Sequence, residues 1–143
     1  MIYLACDHGG FSLKEKIKEQ LSKTNLPVVD VGNSQLDPQD DFVDFAKMAA
    51  QQMKDDDRGI FLCRNGVGVD IVANRFAHLR SVLGFNVVQV EKARNDDNCN
   101  VLCLPADYID LQTALSLVDV FLNTKFSQEE RFNRRLGKLQ EMK

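Results

Sequence analysis

Short apolar runs that alternate with longer amphipathic segments constrain the fold of this chain more than any other feature. After the first run, Leu13, Ile17 and Leu21 recur every four residues with charged residues between them, which is typical of a helix that exposes its charged face. Segments that begin near Asp41 and Leu111 repeat this helical spacing. We therefore predict strands over residues 2–6, 26–31, 60–63, 79–85 and 99–104, with helices between them.

Strands that alternate with helices at roughly 30-residue spacing predict a parallel sheet covered on both faces. The expected fold is α/β: a three-layer, doubly wound, Rossmann-like sandwich with a five-stranded parallel sheet. A charged, helical tail over about 126–143 follows the last helix of the sandwich. The length of 143 residues suits one domain that spans residues 1–143.

Composition excludes several classes of protein. A hydrophobic content of 44% with 27% charged residues is ordinary for a folded globular chain, and a net charge of −3 offers no broad basic surface for nucleic acid. No apolar stretch is long enough to cross a membrane, and the first residues do not resemble a signal peptide. Four cysteines lack paired CxxC spacing, so we expect free thiols and a cytoplasmic location. They are Cys6, Cys63, Cys99 and Cys103.

Polar loops predicted to follow three strands define a candidate site. In doubly wound folds, ligands bind at the carboxyl ends of the strands, so we expect residues 7–8, 63–68 and 95–98 to meet at one edge of the sheet. Cys63 ends the central strand where loop amides and a helix N-terminus begin, a position that favours a thiolate base or nucleophile. A buried cysteine that merely completes the strand is the alternative interpretation.

Five segments in order resemble one known family. Residues 6–14 are similar to its Ser-Asp-His-Ala-Gly opening, and 41–46 to its Asp-Tyr-Pro-Asp-Tyr-Ala motif. Residues 59–73 resemble Gly-Ile-Leu-Ile-Cys-Gly-Thr-Gly-Ile-Gly followed by a helix, and 100–102 and 122–126 also match family signatures. The chain therefore resembles the sugar-phosphate isomerases that comprise type B ribose-5-phosphate isomerase and the galactose-6-phosphate isomerase subunits.

This resemblance implies that a phosphorylated aldose and its ketose interconvert through a cis-enediolate, with a ribose-5-phosphate-like or hexose-6-phosphate-like substrate. Cys63 matches the base of the family, and the amides of Gly66, Val67 and Gly68 match the loop that stabilises the oxyanion. The reaction needs no metal and no organic cofactor. The carboxylates of residues 55–57 are interpreted as a solvated turn rather than a metal site.

The resemblance also assigns residues to substrate binding. Asp7 and His8 match residues that orient the sugar and line the phosphate region, and Arg131 and Arg135 match tail arginines that bind phosphate. Each residue also has a simpler interpretation when it is considered alone. Asp7 could cap the following helix, His8 could be an ordinary loop residue, and the two arginines could lie on the solvent-facing side of a helix. The family implies a homodimer or a dimer of dimers with shared sites, in which the tail helix reaches across. No nucleic-acid or membrane partner is expected.

Four departures from the family pattern fall within the expected site. Asn65 stands where the family has a Ser or Thr that helps to open the sugar ring, and Arg64 replaces a glycine. Asp96 corresponds to the ring-opening histidine, with Asp97 beside it as a substrate contact, and Asp107 replaces a phosphate-binding arginine. We therefore expect an isomerase with an altered substrate. The alternative is a catalytically impaired binding or regulatory subunit with the same fold.

Overall fold

A five-stranded, all-parallel sheet forms the centre of the protein in a computed structural model that describes residues 1–142. The spatial order of the strands is β2-β1-β3-β5-β4. The strands are β1 (Ile2–Cys6), β2 (Val28–Asp30), β3 (Arg58–Cys63), β4 (Ser81–Leu83) and β5 (Val101–Pro105). The helices are α1 (Phe11–Leu21), α2 (Phe42–Gln52), α3 (Val67–Ala73), α4 (Val87–Asp97), α5 (Leu111–Asn123) and α6 (Glu130–Gln140).

Two apolar cores lie on opposite faces of the sheet, because successive strand side chains point to opposite sides. Leu4 and Leu62 face α1, α4 and α5, whereas Ala5, Phe61 and Cys63 face α2 and α3. The chain therefore forms the predicted three-layer, doubly wound sandwich. Among the helices of residues 1–142, none combines the length and the apolar character that a segment crossing a bilayer requires.

Element boundaries differ from the predictions at several places. The second strand is limited to Val28–Asp30 and the fourth to Ser81–Leu83, so both edge strands are shorter than their apolar runs. The tail becomes helical only at Glu130, after Gln128 adopts a φ of 58°. Lys143 lies outside the described residues. The largest difference is α4, which continues to Asp97 and so includes most of the predicted polar loop 95–98.

Candidate active site

The carboxyl ends of β1, β3 and β5 bring three loops together. Within the sheet, Cys6 of β1 is paired with Leu62 of β3, and Cys63 of β3 is paired with Pro105 of β5. Since β2 lies on one side of β1 and β3 on the other, the β1–β3 boundary is the topological switch point at which α/β folds bind ligands. The loops that follow these three strands therefore surround one candidate site.

Asp7 organises the loop after β1. Its buried carboxylate accepts hydrogen bonds at Oδ1 from the Gly9 and Gly10 amides, at 2.9 and 3.2 Å. These contacts close the turn that leads into α1, whose N-cap residue is Gly10 and has no side-chain cap, so Asp7 stabilises the turn and does not cap the helix. Both hydrogen bonds use Oδ1, so this structural role is compatible with a ligand contact through Oδ2.

His8 forms a close pair with Asp40, a residue that the sequence analysis did not place in the site. The His8 amide and ring Nδ1 each lie 2.8 Å from Asp40 Oδ1, and Asn33 donates to Asp40 Oδ2 at 3.2 Å. The hydrogen bond to Asp40 raises the pKa of His8. Asp40 directly precedes the 41–46 motif, which was the one available signal of its importance.

Cys63 stands at the end of β3 with 4% of its surface exposed. Its thiol lies 3.7 Å from Asn65 Oδ1, which also accepts the Val67 N–H at 3.0 Å. Asn65 therefore orients both the thiol and the start of α3. All four cysteines are buried, and burial raises the pKa of Cys6 and of Cys99 to about 12.

The loop after Cys63 requires glycine at position 66. Gly66 has a φ of 74°, and a Cβ there would come within 2.5 Å of Leu83 Cδ1. This conformation directs the chain into α3, where the Gly68 and Val69 amides lie in the first turn and so lack intrahelical acceptors. The Gly68 N–H is suited to a developing oxyanion, whereas the Val67 amide already donates to Asn65 and Val69 is fully buried.

Arg64 and Asp107, two of the departures from the family pattern, form a pair. Arg64 Nη1 lies 3.3 Å from Asp107 Oδ2, and the Asp107 amide donates to the Arg64 carbonyl at 2.9 Å. The Arg64 stem also passes over the loop after β1, since a Cβ on Gly9 would come within 2.4 Å of Arg64 Cγ. The side chains are 63% and 44% exposed, so the ion pair is weak and a ligand can displace it.

The prediction that residues 95–98 lie at this edge is wrong. Because α4 ends at Asp97 and leads into β5, Asp96 and Asp97 lie at the amino ends of the strands. There the Gly59 amide donates to the Asn100 carbonyl at 2.8 Å. Cys63 is four residues further along β3, roughly 13 Å away at the spacing of a parallel strand. Asp96 therefore does not approach Cys63 within one chain.

The tail arginines belong to the same distant group as Asp96 and Asp97. Arg131 and Arg135 lie over the Phe132 ring, 4.5 and 5.7 Å from its centroid, and Arg131 also pairs with Glu129 at 2.9 Å. Burial and the charge of Asp96 raise the pKa of Asp97, whereas the nearby Arg135 charge opposes this rise. Within one chain, the predicted site residues thus form two groups. One group lies at the carboxyl ends of the strands and the other at their amino ends.

Asp7, His8 and Asp40 each offer one potential metal ligand, and the three atoms lie within 4.8 Å of one another. Hydrogen bonds account for this proximity. Asp7 Oδ1 accepts from the Gly9 and Gly10 amides, and Asp40 Oδ1 contacts the amide and ring Nδ1 of His8. A cation would have to displace these donors. The donor set therefore fits an N–H-bonded turn better than a metal centre.

Comparison with known proteins identifies relatives along nearly the whole chain. A family model described as Ribose/Galactose Isomerase matches residues 2–139. A probable ribose-5-phosphate isomerase B of Mycoplasma pneumoniae is 36% identical over 140 residues, which cover 96% of this chain and 91% of the relative. Ribose-5-phosphate isomerase B of Mycobacterium tuberculosis is 32% identical over 142 residues, covering 98% and 88%.

Solved structures show the same fold. Ribose-5-phosphate isomerase B from Mycoplasma genitalium, determined with bound ribulose-5-phosphate, superposes with a TM-score of 0.93 at 36% identity, covering 98% of this chain and 93% of the other. The ribose 5-phosphate isomerase from Thermotoga maritima superposes with a TM-score of 0.92 at 36% identity, covering 99% and 97%. The sheet and its flanking helices are therefore those of these two proteins.

Proposed function

The chain belongs to the ribose/galactose isomerase family, and from this premise we propose that it interconverts the aldose and ketose forms of a phosphorylated sugar. In this proposal residues 1–143 act as a single domain, and the reaction proceeds through a cis-enediolate. The observation that carries the proposal is the position of Cys63 at the switch point of the sheet, beside the Gly68 amide in the first turn of α3.

Cys63 is the proposed base. Its thiolate removes the proton from the carbon next to the carbonyl, and the carbonyl oxygen gains the charge as the enediolate forms. The Gly68 amide donates to that oxygen, which takes the proton of the adjacent hydroxyl, and the thiol returns its own proton to the former carbonyl carbon. Asn65 supports this role, because its side-chain oxygen lies 3.7 Å from the thiol.

Substrate recognition is assigned to the three loops at the same edge. Asp7 and His8 hold the sugar, and the exposed Arg64 contributes a cation for the phosphate once it leaves Asp107. The Mycoplasma genitalium relative binds ribulose-5-phosphate, which favours a pentose phosphate substrate. Because Arg64 and Asp107 depart from the family pattern within the expected site, we include 6-phosphorylated hexoses among the candidate substrates.

A second protomer is proposed to complete the site. Arg131, Arg135, Asp96 and Asp97 are remote from Cys63 in one chain, so a homodimer or dimer of dimers would supply them from a neighbouring subunit. An apolar groove of about 500 Å³ between α2 and α3, with Val43 and Ile71 among its lining residues, supports a protein contact on this face.

The Cys63→Ala variant tests the base assignment. With ribose 5-phosphate, ribulose 5-phosphate and 6-phosphorylated hexoses in D₂O, wild type is expected to incorporate deuterium at C2 of the aldose form, whereas Cys63→Ala abolishes incorporation. Cys103→Ala is the matched control, because Cys103 is fully buried within β5, its thiol contacts Ser81, and its loss should leave exchange unchanged. Exchange retained in Cys63→Ala would remove Cys63 from the base role.

A catalytically impaired, sugar-phosphate-binding subunit is the second candidate function. Asn65, whose amide transfers protons poorly, and the neutralised Arg64–Asp107 pair favour this alternative. Wild-type protein that binds sugar phosphates saturably, yet exchanges no C2 proton for any of them, would support it. Exchange with any one of these sugars would exclude it.

A further inference from the structure

Asp40 contacts His8 in a way that fixes the imidazole ring. A single oxygen, Asp40 Oδ1, lies 2.8 Å from both the His8 amide nitrogen and ring Nδ1. We propose that Asp40 is a positioning residue that commits Nδ1–H of His8 to itself and presents Nε2–H to an anionic oxygen of the substrate. This inference deepens the proposed function and depends on it for the identity of the substrate.

Asp40 is itself held in place. Its side chain is only 6% exposed, and Asn33 donates to its second oxygen at 3.2 Å. The Asn33 carbonyl in turn accepts from Lys14 Nζ at 3.0 Å, and the fully buried Lys14 also bonds Asp30 at 2.8 Å. Asn33 therefore connects a buried ammonium group in α1, which bonds its backbone carbonyl, to Asp40, which its side-chain amide holds beside the His8 ring.

Three charged groups face His8 from the surrounding loops. Asp7 belongs to the same loop, Asp40 to the segment before α2, and Arg64 to the loop after β3. The hydrogen bond to Asp40 and the negative charges raise the pKa of His8, while partial burial and Arg64 oppose them. Hydrogen bonds from His8 and Asn33 outweigh burial and lower the pKa of Asp40.

This arrangement gives Asp40 two effects on the substrate. Because Asp40 Oδ1 accepts a hydrogen bond from Nδ1–H, the Nδ1 atom of His8 must carry a proton. The neutral tautomer that is protonated at Nε2 alone is therefore excluded. Asp40 also favours the imidazolium form, whose Nε2–H is a charge-assisted donor to a phosphate or enediolate oxygen. Binding of an anionic substrate should therefore weaken as the pH rises through the pKa of His8.

The two histidines of the chain allow a direct test by NMR. Ring signals of His8 and His78 are titrated in wild type and in Asp40→Asn, with His78→Gln to assign them. Asp40→Asn is expected to lower the pKa of His8. The ring signals of His78, whose Nε2 lies 3.0 Å from the Ala50 carbonyl, serve as the internal reference. Asp41→Asn, which changes the neighbouring exposed carboxylate, is the matched control and should leave His8 unchanged.

Kinetics supply the second measurement. The alkaline limb of kcat/KM is expected to move to lower pH in Asp40→Asn, with partial recovery in Asp40→Glu, whereas Asp41→Asn keeps the wild-type profile. An unchanged His8 pKa in a folded Asp40→Asn protein overturns the inference. If wild type isomerises nothing, the proposed function fails but the NMR titration still decides the role of Asp40.

A variant with a smaller change covers the case in which Asp40→Asn does not fold. Asn33→Ala removes only the outer hydrogen bond to Asp40, so a change in the His8 pKa in this variant reports the coupling of the ring to Asp40. No movement in folded Asn33→Ala, together with an unfolded Asp40→Asn, would assign Asp40 a purely structural role and overturn the inference.

Discussion

Arg64 and Asp107 set the charge at the mouth of the site. The two residues face each other across adjacent loops at 3.3 Å, so the cation that Arg64 adds is balanced by the carboxylate of Asp107. Both side chains are largely solvated, and exposed pairs of this kind contribute about 0.2–1 kcal/mol. An anionic ligand therefore competes with Asp107 for Arg64 on nearly equal terms.

Asp107→Asn is expected to tighten the binding of inorganic phosphate by up to about fivefold, because it releases Arg64 from its internal partner. Arg64→Met should weaken binding, and the double variant should resemble Arg64→Met. Calorimetric titration with phosphate at fixed ionic strength measures all three. Equal tightening by Asp107→Asn in the presence and absence of Arg64 would show that the two residues act independently.

At the scale of the element, α4 depends on contacts that its own sequence does not reveal. Arg94 is buried in the last turn, where it donates to Asn98 Oδ1 at 3.1 Å, to the Thr124 carbonyl at 3.3 Å and to the Cys99 carbonyl. Burial lowers the pKa of Arg94 to about 10, so the guanidinium stays charged at neutral pH. These bonds extend the helix through the polar run 95–97 and fix Asp96 and Asp97 at the amino edge of the sheet.

Arg94→Ala is expected to lower the free energy of unfolding by about 2–4 kcal/mol, because it leaves buried carbonyl groups without donors. Urea denaturation measures the change. Arg134→Ala is the matched control on α6: its ion pair with Glu130 is exposed, and its loss should cost about 0.5 kcal/mol or less. Similar losses for both variants would contradict the role given to the buried network.

At the scale of the whole molecule, the separation of Cys63 from the tail arginines predicts sites shared between protomers. In a symmetric dimer, each shared site would combine Cys63 of one protomer with Arg131 and Arg135 of the other. In a mixed dimer, one protomer would lack Cys63 and the other would lack Arg135, so both substitutions would fall in the same shared site. The second site would remain intact.

Equimolar mixing of Cys63→Ala with Arg135→Met, after dissociation and reassociation, is therefore expected to recover about one quarter of wild-type activity, from the half of the dimers that are mixed. Mixing Cys63→Ala with Cys63→Ser is the control and should recover none. The C2 exchange assay measures both. Absence of recovery, with mixed dimers present, would place Cys63 and Arg135 in the same protomer's site.

Much of the fold was predictable because it depends on local patterns. Apolar runs and helical spacing gave the parallel sandwich, and the order of strand, loop and helix identified Cys63, Asn65 and Gly66 as neighbours. The strands at the sheet edges were predicted too long, since apolar character alone does not decide where a partner strand ends. Local chemistry also marked Asp7 and His8 as residues of the loop after β1.

Long-range contacts decided what the sequence analysis missed or misplaced. Residues 95–98 were misplaced because they precede β5 and do not directly follow a strand: α4 returns the chain from the end of β4 to the amino ends of the strands. Asp40 was missed because its contact with His8 joins residues 32 positions apart. The sequence by itself determined the layers of this protein and the neighbourhood of Cys63, since both arise from residues close in the chain. Only the tertiary structure decided which charged side chains meet, because that depends on the order of the strands in the sheet.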